Sequence, residues 1–303
     1  MSPRGPNLSH WPGNRTPDHW KADLSTGICL NFARAPHSAQ LEFLEGAQTV
    51  LNDHYDTDGF LSLLAALRPD VILPRETTAL DAAATGDYQA FQTDQGFAID
   101  RIVINLATPT SPIAHEFESL KRPAKDHARY RWLIDHAEDV LDHPEQFSVL
   151  FQSELDAVHQ QLEDPAVEHE LHEDLGLALI RSPFPLHRLV LNTLASTCFR
   201  VLHSITTPDG TLFRFHYRTE SWFEVQTFTA PPRVDLTPLC TELQATVTHA
   251  SWNVDPITEP VPELYHGIAA PQLYGQLTRQ LTHSPLPPAD VEALFARFFA
   301  EHG

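Results

Sequence analysis

Thr49-Val50-Leu51-Asn52-Asp53-His54-Tyr55-Asp56-Thr57-Asp58-Gly59-Phe60-Leu61-Ser62-Leu63-Leu64-Ala65-Ala66-Leu67 is the stretch whose reading decides the fold. At its centre His54, Asp56 and Asp58 alternate, and alternation in an extended chain sets them on one side. Thr49, Val50 and Leu51 predict a short strand leading in. Gly59 permits a sharp turn, and the apolar run after it predicts a helix whose N-terminus favours anions. Two carboxylates and an imidazole converging at such a turn are costly to assemble without a cation between them.

Working outward, Gly27-Ile28-Cys29-Leu30-Asn31-Phe32 reads as a short strand, and Leu41 to Ala47 as a helix. Arg75 to Ala84 reads as a helix with Gly86 past its end. Ile99 to Leu106 fits a buried strand or a helix, and both stay open. Residues 115–163 read as mostly helical. The acidic, weakly patterned Glu163-Asp164-Pro165-Ala166-Val167-Glu168-His169-Glu170 is the linker candidate. Beyond it, Leu175 to Ile180 predicts a strand, Leu186 to Arg200 a helix, and Val201 to Ile205 a strand. A turn at Thr207-Pro208-Asp209-Gly210 then leads into an alternating strand over Thr211 to Arg218, with Ser221 to Phe228 as its neighbour. Val291, Leu294, Phe295, Phe298 and Phe299 fall at helical spacing in the tail, a face that suits core or homodimer packing. The expected architecture is α/β: a parallel sheet with flanking helices over residues 1–165, then a smaller C-terminal mixed α/β domain over 170–303. A ligand would sit beyond the carboxyl ends of the strands, where His54 to Gly59 lie.

Composition narrows the partners. Of 303 residues, 42 % are apolar, which supports a folded core. Forty acidic against 20 basic residues leave a formal charge of −20, a surface that repels long phosphate backbones. A short anionic substrate remains compatible, held by a metal or a local basic cluster. Cys29, Cys198 and Cys240 are isolated and form no CxxC, so a reducing, cytoplasmic setting is expected. No secretory leader and no membrane span is expected. The N-terminal run Ser9-His10-Trp11-Pro12-Gly13-Asn14 reads as an ordered packing arm, with folding over a site as the other reading.

Three chemistries compete for His54-x-Asp56-x-Asp58-Gly59. A calcium loop fails, because its twelfth position, counted from His54, is Ala65 where a bidentate Glu is needed. A haloacid dehalogenase-type phosphatase, which would use Asp56 as nucleophile and Asp58 as acid/base, stays as a minor alternative, since Phe60 replaces its Thr and the residues before Asp56 are polar. His54-Tyr55-Asp56-Thr57-Asp58-Gly59-Phe60-Leu61-Ser62 resembles the first motif of the DHH phosphoesterase superfamily, H-x-D-x-D-G-x-x-S. That resemblance implies a two-manganese centre, with magnesium or zinc as alternatives, in which His54 and Asp56 hold one metal and Asp58 the other. Asp56 and Asp58 would then be the catalytic carboxylates. It further implies a second-motif Asp, for which Asp87 is the candidate and Asp81 the fallback.

The family's Asp-His-His triplet is absent; Asp126-His127, Asp135-His136, Asp142-His143 and His115 are the nearest substitutes. Its GGGH stretch is also missing. Arg214, Arg218 and Arg233 loosely match the family's substrate-holding segment and would bind the substrate's phosphate. The implied activity is hydrolysis of a phosphodiester or phosphoanhydride in a small, nucleotide-like anion by water activated at the metals. The alternative is a degenerate, non-catalytic DHH-like protein that binds a metabolite or a protein. Taken whole, the chain also resembles an uncharacterised bacterial family.

Overall fold

Ile99, Ile102, Val103 and Leu106 are all fully buried, and their spacing is that of one helix face. The computed structural model, which describes residues 5–245, 251–269 and 279–303, places them accordingly on a helix. The chain is mixed α/β and divides into two compact units. The first takes in Met1–Ala157 with Phe223–Thr229, the second Val158–Trp222 with Ala230–Gly303. Among the described residues no helix is long and apolar enough to cross a membrane.

Helices build the first unit: α1 (Ser25–Arg34), α2 (His37–Leu44), α3 (Thr57–Leu67), α4 (Pro69–Ile72), α5 (Glu76–Tyr88), α6 (Asp94–Asn105), α7 (Ala124–Asp135) and α8 (Ala137–Asp142), before α9 (Gln152–Glu163). No strand occurs among its described residues, so the parallel sheet expected over residues 1–165 is not there. Gly27 to Phe32 lies in α1, because the Asp58 carboxylate accepts from the Ser25 and Thr26 N–H groups and satisfies that helix start. Ile28 and Phe32, one turn apart, then pack on Trp20. Thr49 to Leu51 forms no regular structure, and Leu51 is 77 % exposed. What begins the central helix is a cap rather than a strand: the Asp56 side chain accepts from Gly59 N at 2.7 Å. Gly86, expected past the end of a helix, lies inside α5, which runs on to Tyr88.

The second unit holds the sheet, formed by β1 (Glu168–His172), β2 (Leu177–Ser182), β3 (Arg200–Thr207), β4 (Gly210–Tyr217), β5 (Trp252–Val254), β6 (Glu263–Ala269) and β7 (Arg279–Leu281). The spatial order is β1-β2-β3-β4-β6-β5, with β7 on β6. Only β2 and β3 pair in parallel, joined through α10 (Arg188–Leu194); the other pairs are antiparallel. β4 therefore neighbours β6, and the expected strand over Ser221 to Phe228 does not form.

Alternation along β2 sorts the core into two layers. Leu177 and Leu179 join the cluster of α11 (Thr237–Ala245) and α12 (Pro288–His302), while Ala178 and Ile180 face Leu191 of α10. In the first layer Phe215 packs on Phe295 and Phe299, with ring centroids 5.1 and 5.6 Å apart. Burying each such ring contributes about 2–3 kcal/mol. The tail face at helical spacing thus serves the core.

Candidate metal centre

Two helix starts, one helix end and one arm make the site. Asp56 caps α3, so Asp58 falls in the first turn and reaches back to α1. Its Oδ1 accepts from Thr26 N at 2.8 Å and its Oδ2 from Ser25 N at 3.1 Å. Thr26 Oγ1 donates in return to the Asp58 carbonyl at 3.2 Å. Close approach dictates Gly59: a Cβ there would lie 1.8 Å from Asn52 Nδ2 and 2.8 Å from Tyr130 Oη. Asp87 projects from the last turn of α5, and its Oδ2 stands 3.3 Å from Nε2 of His10.

His10 comes from the N-terminal arm and is 1 % exposed. Its Nδ1 accepts from Ser25 N at 2.8 Å and lies 2.9 Å from Ser25 Oγ and 3.5 Å from Asp58 Oδ2. Among the described residues, Nε2 is buried without a hydrogen-bond partner. Phe223 meets the ring edge-on at 4.1 Å, and Glu224 N donates to the His10 carbonyl at 2.9 Å. Glu224 also accepts from Gly13 N and Asn14 Nδ2, which fixes the arm. Ligand-type atoms of His10, Asp58 and Asp87 lie within 4.8 Å of one another.

The electrostatics are those of excess negative charge. Burial, and then the charges of Asp58, Asp56 and Asp100, push the Asp87 carboxyl well above its usual range. Burial holds the His10 imidazole below its ordinary value against the pull of Asp58 and Asp56. Asp100 is fully buried, accepts from Thr57 Oγ1 at 2.5 Å and pairs with Arg101. Two carboxylates and an imidazole form a mixed N/O set that suits Mn²⁺ or Zn²⁺, and Mg²⁺ less well. With Nδ1 accepting from Ser25 N–H, the neutral ring carries its proton on Nε2. In the other tautomer the Ser25 N–H goes to Asp58 Oδ2 alone, Nδ1–H donates to Ser25 Oγ, and the Nε2 lone pair turns toward Asp87.

Of the residues singled out by sequence, Asp58 and Asp87 come together; His54 and Asp56 stand beside them, paired with each other. Asp56 Oδ2 contacts His54 Nε2, and Asp53 Oδ1 lies 2.6 Å from His54 Nδ1. That engages both ring nitrogens and both oxygens of Asp56. The hydrogen bond to Asp56, against burial and helped by Asp53, raises the His54 pKa to about 9, so the ring is cationic at neutral pH. Asp81 instead meets Thr93 at the start of α6. His115 is exposed, His136 stacks on Trp132, and Asp142 pairs with Arg75. Asp126, His127 and Asp135 line a cleft of about 400 Å³ together with His54, Tyr130 and Arg131.

The three arginines expected to hold substrate lie in the second unit, each engaged separately. Arg214 pairs with Glu263 and Arg218 with Glu220. Arg233 donates to the carbonyls of Glu259 and Pro260. His10 is the residue the motif did not reveal; its one signal is the donor-rich Ser9-to-Asn14 run.

None of the curated proteins and none of the solved structures compared with the chain matches it. One family model, described as a family of unknown function (DUF6687), matches residues 1–303, and the chain belongs to that family.

Proposed function

We propose that His10, Asp58 and Asp87 hold a divalent metal ion, manganese by preference, and that the protein uses it to hydrolyse a phosphodiester or phosphoanhydride in a small anionic substrate. The observation that carries the metal reading is His10 Nε2, a buried nitrogen that has no hydrogen-bond partner among the described residues and lies 3.3 Å from the half-buried Asp87 carboxylate. Unpaired buried polar atoms and clustered carboxylates are both costly, and a cation offsets both. Such an ion supplies Lewis-acid polarisation of a phosphoryl oxygen and lowers the pKa of a nearby water.

The chain's own groups do the rest. The cationic His54 ring borders the cleft and can balance a phosphoryl charge or give its proton to a leaving oxygen, with Asp56 holding the ring in place. Tyr130 donates to the His54 carbonyl at 2.7 Å and fixes the loop that carries the ring. Leu63, Leu67 and Ile134 give the cleft an apolar wall, and its size suits a small organic phosphate. The phosphoester class itself rests on the H-x-D-x-D-G resemblance.

A second reading, a non-catalytic metabolite- or protein-binding protein, draws on the closed His54–Asp56 pair. Dinucleotides, cyclic dinucleotides, pyrophosphate and aryl phosphodiesters, assayed with Mn²⁺, separate the two. Turnover of one of them by the wild type, lost in Asp58→Ala, supports the hydrolase. Metal-loaded protein inert on the whole panel moves the assignment to binding.

A further inference from the structure

Three guanidinium groups converge on one carboxylate in the second unit. Glu263 Oε1 accepts from Arg188 Nη2 and, at 2.5 Å, from Arg214 Nη2. Its Oε2 accepts from Arg214 Nε at 3.0 Å and from Arg279 Nη1. Arg279 Nη2 goes on to Asp255. Among the described residues the contacts therefore join three cations, Arg188, Arg214 and Arg279, to two anions, Glu263 and Asp255, with the charge of Glu259 also acting on Asp255.

The donors outnumber the acceptors. Each guanidinium offers about five N–H donors, whereas each carboxylate offers about four lone-pair sites. Among the described residues, Arg279 Nε is buried without a hydrogen-bond partner. The nearby imidazoles neither add nor remove charge: burial first, then Arg214 and Arg188, lowers the His203 pKa to about 3, and His216 is held well below its ordinary value. Their Nε2 atoms sit 2.8 Å from Ser182 Oγ and Asn192 Oδ1. A structural ion-pair network gains little from a surplus half-buried cation, part of whose desolvation goes uncompensated. In a chain of formal charge −20 the surplus is also against the overall trend. The cluster opens to solvent chiefly at Arg214, whose side chain is 36 % exposed, compared with 19 % for Arg188 and 15 % for Arg279.

We propose that Arg188, Arg214 and Arg279 form a binding site for the phosphoryl group of a small metabolite, with Glu263 holding the three side chains in register. Glu263 already takes the planar fork of Arg214, so the remaining donors come from three separate side chains. The three guanidinium groups are gathered around Glu263, and donors drawn from three separate side chains match the three-oxygen face of a phosphoryl group better than a second planar carboxylate. The site is independent of the metal centre and stands or falls without it.

Arginine-directed modification by phenylglyoxal, mapped by peptide mass spectrometry on the intact wild-type chain, tests this without any variant. Inorganic phosphate is the probe, acetate and chloride at equal ionic strength are the controls, and Arg122, whose side chain is 80 % exposed, is the internal reference. At phosphate about tenfold above its Kd, modification of Arg188 and Arg214 slows by about tenfold while Arg122 is unchanged. Equal rates with and without phosphate overturn the proposal. So does equal protection by chloride or acetate, which leaves only ionic screening or a general carboxylate pairing.

Discussion

His10 Nε2 and Asp87 Oδ2 face each other at 3.3 Å, one carried by the N-terminal arm and the other by the last turn of α5. The contact brings an imidazole into a group of carboxylates that otherwise repel one another. Asp87 answers by keeping its proton to higher pH than its ordinary value of 3.8, through burial first and the charges of Asp58, Asp56 and Asp100 after it. The folded state then binds more protons than the unfolded state above 3.8, so metal-free stability due to Asp87 falls as pH rises through the window up to the raised value. Asp87→Asn removes that slope. Melting temperature against pH in the presence of a chelator checks this; an identical slope in the variant contradicts it.

Asp58 has two roles that substitution separates. An Asn at this position still accepts from one of the two α1 N–H groups through its single carbonyl oxygen, whereas Ala accepts from neither. Asp58→Ala is expected to destabilise the protein by about 1–2 kcal/mol and Asp58→Asn by clearly less. Both are expected to lose the metal. Urea unfolding at fixed pH measures the difference, and equal destabilisation of the two variants contradicts the capping role.

The His54 ring is a cation at neutral pH because of Asp56 and, less strongly, Asp53. A raised imidazole pKa contributes stability that is fully present below its ordinary value of 6.5 and is lost as pH rises through about 9. The ring is 42 % exposed, so solvent screening keeps that contribution small. Titration of the His54 ring protons by NMR is expected to show a midpoint well above the ordinary imidazole value of 6.5, falling toward it in Asp56→Asn. An ordinary midpoint in the wild type contradicts the pairing.

How much was legible follows from where each residue's partners lie. Strand β2 and helix α12 announce themselves, because a short apolar run in the one and helical spacing in the other mark their core residues within the segment. Gly27 to Phe32 does not, since the acceptor that satisfies this helix start is Asp58, 32 residues beyond Thr26. Thr49 to Leu51 has strand-type residues but no sheet beside it, and propensity without a pairing edge builds nothing. Asp58 and Asp87 were picked out by motif and do lie together. His10 was hidden, because nothing local in the arm says where the chain folds back, and its position depends on Phe223 and Glu224 far along the sequence.

Phe295 is fully buried between Phe215 and Phe299. Phe295→Ala is expected to cost about 3–5 kcal/mol, from lost transfer energy and the cavity left behind. Chemical denaturation followed by a probe in the second unit reads it; a loss below about 1 kcal/mol contradicts close packing of that layer.

Calorimetric titration of Mn²⁺ into metal-free wild type, His10→Ala, Asp87→Asn and His54→Ala tests the proposed centre most directly. One site per chain in the wild type, abolished in His10→Ala and Asp87→Asn and retained in His54→Ala, is the expected result. Its affinity should rise with pH as Asp87 gives up its proton. Binding that survives in His10→Ala and Asp87→Asn but vanishes in His54→Ala would place the ion on the H-x-D-x-D motif instead. No binding to the wild type at all would contradict a metal centre.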